Sequence, residues 1–405
     1  MQNRSEKGSN MDVFSNEFSR REFAKLMAAL GVSAAGIAAM GCAKEESGTT
    51  PEQTPTIDET PTEKVIVDAA GRTVTIPAEV NKVYCAIPTS QAFVVTLCPE
   101  KLVGWVNEVP AGKLKFLPSY LADLPVLGGW MGAQETANIE AIINAAPDVI
   151  LYCYGSNDVS DDMTPYAEAA QSIQDRCGAP TVVYNGRLSL VADNYRFLGE
   201  LLGCKERGEE MATYCETKLA AVAAAVAKVP ASEVQTCYYA EGKAGLNTDP
   251  AESAHTEVID FCNVKNIAIT DGFAGPNGQG MIGVDMESVL NWNPQIILVS
   301  PQNADLYDTI MASESWAKIQ AVQDGKVYKA PAIPFGWFDR PPDATRVLGC
   351  QWFANLIYPT YYATDIAADI KEYFKLAYGY DLKDAELANI LAPNPIPGSS
   401  AAAAA

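Results

Sequence analysis

The chain has 405 residues, with 29 basic and 50 acidic side chains and a formal net charge of −21. This balance argues against a nucleic-acid partner, because no basic stripe is present to neutralise phosphate groups. The chain has one histidine, and its ten cysteines contain no CxxC pair. These counts argue against a histidine-rich metal site, a zinc knuckle and a thioredoxin motif.

Residues 1–42 have the features of an export signal and not of a folded segment. Arg20 and Arg21 lie in SRREFAK, which matches the twin-arginine pattern, and the apolar run Leu26–Met40 is too short for a membrane span. Cys42 follows a glycine, as in bacterial lipoprotein signals, where the cysteine becomes the lipidated first residue. The segment predicts twin-arginine export and a lipid anchor, with the protein at the cell surface or on the periplasmic side of the cytoplasmic membrane.

Composition divides the rest of the chain. Residues 43–64 are rich in Thr, Pro and Glu and lack hydrophobic periodicity, which predicts a disordered tether. Residues 393–405 form a low-complexity tail of Pro, Gly, Ser and Ala. Between them we expect an N-terminal α/β lobe over 65–188, connecting helices over 189–229 and a C-terminal α/β lobe over 230–392.

Within this body the apolar patterns predict strands and helices in alternation. A helix over Lys205–Lys228 would be roughly 36 Å long and would form a stiff strut between the lobes. The other predicted elements, in chain order, are a hairpin over Val65–Ile76, a strand over Lys82–Ile87 with a helix to Cys98, strands over Leu102–Val106 and Thr181–Tyr184, helices from Arg187 with a break at Gly203, strands over Val234–Ala240, Ile296–Ser300 and Val327–Ala330, and helices within Asp343–Leu376.

One phrase occurs twice. Asn138–Leu151 reads NIEAIINAAPDVIL and Asp285–Leu298 reads DMESVLNWNPQIIL, so Glu140 and Glu287 coincide without a gap. Each copy predicts a short helix that stops before proline, followed by a buried strand. The repeat favours two similar α/β lobes, and a cleft between lobes is where a small ligand usually binds.

Several aromatic residues and one arginine follow predicted strands. Loops at the carboxyl ends of strands line the ligand crevice of α/β lobes. Such a group of rings with one cation suits a large, flat or greasy anionic chelate. The predicted ligand-binding residues are Trp130, Tyr154, Tyr239, Trp337, Phe338 and Arg340, the last three in the loop Phe335–Pro342.

His255 stands near the start of a predicted helix, and two interpretations remain open. It either caps the helix at the surface, or its imidazole binds the iron of a cargo and is a possible metal ligand. Residues 315–318 fit SxxK and residues 278–283 fit GxGxxG, but neither has the partner motifs or the strand context that its chemistry needs. No catalytic constellation is predicted.

Taken in order, these motifs resemble the helical-backbone substrate-binding proteins of ABC importers, which carry ferric siderophores, haem and vitamin B12. The likeness covers nearly the whole mature chain, and the loop around Trp337 is most similar to a haem- or iron-complex subgroup. The motifs are VDAAGRTVTIP (67–77), LVGWV (102–106), the first glutamate phrase, SWAKIQAVQDGKVY (315–328) and WFDR (337–340).

The resemblance implies two α/β lobes joined by one long helix, with a ligand cleft between them. It also implies that Glu140 and Glu287, one per lobe, dock onto basic pockets of a membrane permease. The alternative is that both glutamates only occupy a first helical turn, where the helix dipole favours them.

The expected function is that of an extracytoplasmic receptor, which is not an enzyme and has no cofactor. It would bind an iron chelate, a ferric siderophore or haem, and deliver it as a monomer to an ABC permease and its ATPase. A corrinoid such as vitamin B12, or molybdate or tungstate, is the alternative ligand. A cell-surface enzyme acting on a small metabolite is the alternative of another class.

Overall fold

The computed structural model describes residues 62–131, 134–154, 163–251, 253–268 and 281–394. Arg20, Arg21 and Cys42, predicted for export and lipidation, lie outside the described residues, as does nearly all of the predicted tether. Within the described segments no helix is both long and apolar enough to cross a membrane. The described residues all fall in one structural unit that begins at Pro61.

The strands of the described residues are mostly short. In chain order they are β1 Glu63–Val67, β2 Thr73–Pro77, β3 Val83–Cys85, β4 Trp130–Met131, β5 Gln134–Glu135, β6 Val149–Tyr154, β7 Thr181–Asn185, β8 Thr236–Ala240, β9 Asn247–Thr248, β10 Lys265–Asn266, β11 Ile282–Gly283, β12 Ile296–Val299 and β13 Val327–Lys329.

The α-helices of the same segments alternate with these strands. They are α1 Pro88–Leu97, α2 Ala111–Leu114, α3 Ile139–Ala145, α4 Thr164–Cys177, α5 Val191–Leu201, α6 Lys205–Val226, α7 Glu257–Phe261, α8 Met286–Trp292, α9 Leu306–Met311, α10 Gln320–Gln323, α11 Arg346–Ile357, α12 Ile366–Tyr378 and α13 Asp384–Leu391.

The N-terminal lobe is built on a parallel sheet with the order β3-β6-β7. Val83 pairs with Val149, and Ile150 pairs with Thr181. These strands are buried along almost their whole length, which explains why each is a run of mostly apolar residues without polar alternation. The antiparallel hairpin β1–β2 confirms the hairpin predicted over Val65–Ile76.

The C-terminal lobe is built on a second parallel sheet with the order β10-β8-β12-β13. Cys237 pairs with Ile296, and Ile297 pairs with Val327. Because the strands are parallel, β8 and β12 end at the same edge, at Ala240 and Val299. Side chains that follow these two strands are therefore brought close together.

The repeated phrase forms the same unit in both lobes. Helices α3 and α8 each begin after a capping side chain, Asn138 accepting from Ala141 N at 3.1 Å and Asp285 accepting from Ser288 N at 2.7 Å. Each helix ends at a residue with positive φ and is followed by proline and then by a strand, β6 or β12. The predicted helix–proline–strand unit is confirmed in both copies.

One predicted strand does not form. Leu102–Val106 makes only two isolated bridges, Leu102 to Val83 and Trp105 to Val126. Gly104 explains the interruption, since a Cβ there would lie 2.9 Å from Pro125 O. The segment packs closely against the loop before β4 instead of extending the sheet.

The lobes are joined by α5 and α6, which together confirm the predicted helical connector. The chain reverses between them at Gly203, whose φ of +73° is readily adopted only by glycine. Gly199 and Gly208 let the two helices touch, because a Cβ on Gly208 would lie 2.6 Å from Tyr195 O. Helix α6 is roughly 33 Å long.

Helix α6 is tied to helices on both sides. Arg207 donates from Nε to Thr96 O on α1 at 2.9 Å and from a terminal nitrogen to Leu376 O on α12. Further along, Lys218 Nζ pairs with Asp369 on α12 at 2.8 Å. These contacts hold α1, α6 and α12 as one frame.

The C-terminal helices return to the N-terminal lobe. Phe116, which precedes β4, packs its ring 5.6 Å from Phe374 on α12 and 5.0 Å from Tyr380. One continuous apolar core therefore runs from the N-terminal sheet past α6 to the last helices.

Candidate functional site

The loop between β13 and α11 is fixed by its own backbone and by one glycine. The Trp337 indole N–H donates to Ile333 O at 2.8 Å, and the Trp337 N–H donates to Pro331 O at 3.0 Å. Gly349 on α11 lies against this loop so closely that a Cβ would stand 1.7 Å from Trp337 O. The loop is thus pressed onto the C-terminal helices.

This packing places three predicted ligand contacts in the protein interior. Trp337, Phe338 and Tyr239 are all buried. The Phe338 ring packs 5.2 Å from Tyr239 and 6.0 Å from Phe353 on α11. We expected these rings to line an open cleft, but the aromatic loop folds inward because α11 offers an apolar surface with a glycine at the point of contact.

Arg340 projects from the same loop into a group of carboxylates. Its Nε donates to Glu241 Oε1 at 2.5 Å, a terminal nitrogen donates to Asp249, and Asp339 Oδ2 lies 3.4 Å from Nε. The backbone φ of Arg340 is +53°, a value that residues other than glycine rarely adopt. The sequence suggested an arginine free to pair with a ligand carboxylate, whereas here its guanidinium is already bound by protein carboxylates.

His255 joins this group through Asp339. The His255 Nδ1 lies 2.5 Å from Asp339 Oδ1. Burial lowers the pKa of His255, but the Asp339 carboxylate more than offsets this and leaves the pKa above its ordinary value of 6.5. We call Glu241, Asp249, His255, Asp339 and Arg340 the C-lobe charge cluster.

The C-lobe charge cluster is layered. The side chains of Glu241, Asp249 and Asp339 are 0% exposed, whereas those of Arg340 and His255 are 14% and 16% exposed. Burial raises the pKa of Glu241, and the hydrogen bond from Arg340 acts in the opposite direction. Carboxylates therefore lie beneath, and the solvent-facing atoms of the cluster belong to the arginine and the histidine.

A metal ion is the other species that such residues hold. Atoms of Asp249, His255 and Asp339 lie within 4.8 Å of one another. Oxygen and imidazole donors suit several divalent ions. However, the Arg340 guanidinium is already paired with the Asp249 carboxylate, so a bare cation would have to displace the guanidinium.

The remaining predicted contacts lie in the N-terminal lobe. Tyr154 stacks on Tyr166 with a centroid distance of 4.3 Å. Trp130 is half-buried and packs edge-on against Tyr84 at 6.5 Å, with the Arg176 guanidinium 5.8 Å from its ring. The structure thus groups Tyr239, His255, Trp337, Phe338 and Arg340 in one lobe and places Trp130 and Tyr154 in the other.

The two lobes meet through a second charged group. The Arg346 guanidinium on α11 donates to Gly186 O in the N-terminal lobe and pairs with Glu257 at the start of α7. Glu257 in turn accepts from Leu188 N at 3.0 Å and lies 3.7 Å from Arg187 Nε. His255 is two residues before Glu257, so the charge cluster lies beside this bridge between lobes.

The ligand contacts predicted from the sequence include none of the acidic members of these groups. Asp249 follows β9 in a Thr-Asp-Pro turn, and Glu241 follows β8, so their positions after strands were the available signal. Glu257 and Arg346 gave no such signal, because both lie within helices. Glu140 and Glu287, by contrast, lie in the exposed first turns of α3 and α8, as the sequence predicts.

Comparisons with known proteins agree with this architecture. A family model described as periplasmic binding protein matches residues 130–334. The molybdate-binding protein MolA of Haemophilus influenzae is 24% identical over 338 residues, which cover 78% of this chain and 91% of MolA.

Solved structures show the same fold. An ABC transporter solute binding protein from Sulfurospirillum deleyianum has a TM-score of 0.71 and 29% identity, covering 80% of this chain and 98% of its own. A periplasmic solute binding protein from Veillonella parvula has a TM-score of 0.63 and 24% identity, and the match covers 81% of this chain and 97% of the Veillonella chain. Since the family model spans half of the chain, the protein belongs to the periplasmic binding protein family, the extracytoplasmic solute-binding receptors of ABC transporters.

Proposed function

We propose that this receptor captures a compact anionic ligand on the exposed edge of the C-lobe charge cluster, and that the ligand is a metal oxyanion such as molybdate or tungstate. The observation that carries the proposal is the layering of the cluster. Arg340 and His255 face solvent, while Glu241, Asp249 and Asp339 are buried beneath them. A protonated imidazole is a strong donor to an oxyanion, and the guanidinium, although paired with the carboxylates beneath it, adds positive charge beside the imidazole.

The placement of the aromatic rings favours a small ligand. A large flat chelate was predicted because Tyr239, Trp337 and Phe338 were expected at the cleft mouth, and these rings are buried. Arg340 and His255, by contrast, remain partly accessible. The likeness to MolA, a molybdate-binding protein, supports the same ligand class.

An iron chelate, a ferric siderophore or haem, is the second candidate. Trp130 and Tyr166 are half-buried in the N-terminal lobe, where Tyr166 stacks on the buried Tyr154. Such rings suit a flat organic ligand, whose acidic groups would pair with Arg340 and His255. This candidate also retains the family resemblance of the motifs around Trp337.

Isothermal titration of the purified receptor separates the candidates. We expect saturable binding of molybdate and tungstate and no binding of haemin or ferric siderophores. His255→Gln should weaken oxyanion binding roughly tenfold or more, because a charge-assisted hydrogen bond is lost. Arg196→Ala, which removes an exposed arginine paired on the surface with Glu209 and Glu216, is the control and should bind normally.

Other results would redirect the proposal. Binding of haemin or a siderophore with no response to molybdate or tungstate would make the iron chelate the ligand. Equal binding of sulfate and phosphate would reduce the site to a general anion site. Unchanged molybdate affinity in His255→Gln would show that the cluster is not the binding surface.

Delivery requires a membrane partner. The family implies an ABC permease with its ATPase, and we propose that Glu140 and Glu287 form the docking contacts. We also propose that the receptor is a monomer, exported by the twin-arginine route and anchored by lipid at Cys42. Replacing Arg20 and Arg21 with lysine should retain the precursor in the cell, and Cys42→Ala should release a soluble form; cell fractionation measures both.

A further inference from the structure

Two cysteines meet where the N-terminal lobe joins the connector. Cys98 directly follows α1, and its N–H donates to Val94 O at 2.9 Å. Cys204 directly precedes α6, and its N–H donates to Gly199 O at 2.8 Å. The two thiol groups interact directly with each other. Both belong to the main apolar core or pack against it.

Contacts on either side hold these two positions together. Lys101 Nζ, three residues after Cys98, donates to Leu202 O at 2.6 Å. Arg207, three residues after Cys204, donates from Nε to Thr96 O at 2.9 Å. The two cysteines therefore lie between two independent links from the end of α1 to the start of α6.

The two sulfurs differ in ways that suit thiol–disulfide exchange. Cys204 is half-exposed, whereas Cys98 is buried. The hydrogen bond from Cys98 lowers the pKa of Cys204, and the Lys101 ammonium acts in the same direction. The same hydrogen bond raises the pKa of Cys98, which keeps its proton. A half-exposed thiol with a lowered pKa beside a buried thiol with a raised pKa is the arrangement of an attacking and a resolving cysteine.

We propose that Cys98 and Cys204 form a redox-active pair that a disulfide oxidant converts into a disulfide bond. The Cys204 thiolate attacks one sulfur of the oxidant, whose S–S bond breaks and releases one thiolate. Cys98 then attacks the Cys204 sulfur of the mixed disulfide, transfers its proton and expels the second thiol. Two protein thiols and one disulfide become one protein disulfide and two thiols, with two electrons passing to the oxidant.

A second cysteine pair provides an internal control. Cys262 donates from Sγ to Cys350 O at 3.5 Å, and the two thiols are also in contact. Both residues are fully buried. Without a solvent-facing thiolate this pair has no entry point for an oxidant, and it should remain reduced in the folded protein while Cys98 and Cys204 react.

The experiment treats the purified reduced protein with oxidised glutathione, traps free thiols with N-ethylmaleimide and identifies linked peptides by mass spectrometry without reduction. We expect a peptide pair linked through Cys98 and Cys204, and we expect neither cysteine to carry N-ethylmaleimide. Because the bond closes a loop of roughly 100 residues in the unfolded chain, oxidation should raise Tm by several degrees. Cys262→Ser should keep both results.

The single variants complete the test. Cys98→Ser should stop at the mixed disulfide of glutathione with Cys204, and Cys204→Ser should leave Cys98 unmodified by glutathione. Neither should show the increase in Tm on oxidation. Alkylation of both Cys98 and Cys204 after oxidation would overturn the proposal. So would linkage of either cysteine to a different partner.

Discussion

Acidic side chains occupy two opposite environments in this protein. Glu140 and Glu287 are exposed in the first turns of the repeated helices, whereas Glu241, Asp249 and Asp339 are buried beneath Arg340 and His255. An exposed carboxylate remains available to a partner and contributes little to folding. A buried one holds a cation, and in the proposed function that cation faces the ligand. The net charge of the chain therefore does not reveal whether the surface that contacts a ligand is positive or negative.

The largest effect is expected for Arg340→Ala, which tests the role of the buried carboxylates. It leaves Glu241 and Asp249 without their cation, and breaking a buried pair by removing one partner typically costs about 3–5 kcal/mol in the free energy of unfolding. Urea unfolding measures this loss. The matched control is Arg196→Ala on the surface, for which we expect less than about 1 kcal/mol.

Equal stability of the two arginine variants would contradict the idea that the buried carboxylates need Arg340, because they would then be neutralised in another way. A triple variant, Arg340→Ala with Glu241→Gln and Asp249→Asn, tests the same idea more directly. We expect this triple variant to regain much of the lost stability, since no uncompensated charge is left at either position.

The second prediction concerns the support of the loop that carries the arginine. Gly349→Ala would place a methyl group 1.7 Å from Trp337 O, a backbone atom that cannot rotate away. We expect a loss of about 3 kcal/mol in thermal or urea unfolding, together with weaker anion binding as the loop shifts. Gly112→Ala is the control, because its Cβ meets nothing within 4 Å; it should unfold like the parent protein.

The third prediction concerns pH. The pKa of His255 is raised in the folded protein, so its contribution to stability is fully present below about 6.5, the unfolded value, and is lost as pH rises through the folded value. Each unit of difference between the two pKa values is equivalent to about 1.4 kcal/mol. The groups facing His255 are Asp339, Asp249 and Arg340.

Unfolding free energies measured from pH 6 to 9 should therefore fall more steeply for the parent protein than for His255→Gln. Affinity for an oxyanion should decline over the same range, because the imidazole loses its charge. Parallel stability profiles for the two proteins would mean that His255 is neutral in the folded state.

The smallest effect on folding is expected for the exposed glutamates. Glu140→Ala and Glu287→Ala should each change the free energy of unfolding by less than about 0.5 kcal/mol and leave ligand affinity intact. Uptake of the ligand by cells should nevertheless fall, by similar amounts for the two variants, because each helix would meet one half of the permease. Glu79→Ala, another exposed acidic residue, should transport normally. Full uptake by the double variant would remove the docking role.

Local patterns predicted most of the fold. The connector, with its break at Gly203, and the repeated helix–proline–strand unit depend on periodicity and capping residues within a short stretch of chain. Leu102–Val106 was predicted as a strand because it is apolar, but Gly104 packs against Pro125 O from a neighbouring loop. That contact joins residues far enough apart in sequence that no local pattern contains it.

The site was less predictable for the same reason. Arg340 and His255 were identified from the sequence, but their partners Glu241, Asp249 and Asp339 include residues about ninety positions away from Arg340. An aromatic loop has the same sequence pattern whether its rings line a cleft or pack into a core. Here Gly349 on α11 leaves room for the loop to pack inward, and no local pattern pairs this glycine with the loop.

The ties along α6 have a mechanical consequence. Arg207 and Lys218 fasten this helix to α1 and α12, so it cannot slide or pivot freely when the lobes separate. A change in the angle between the lobes would therefore have to bend this helix of roughly 33 Å or break these contacts.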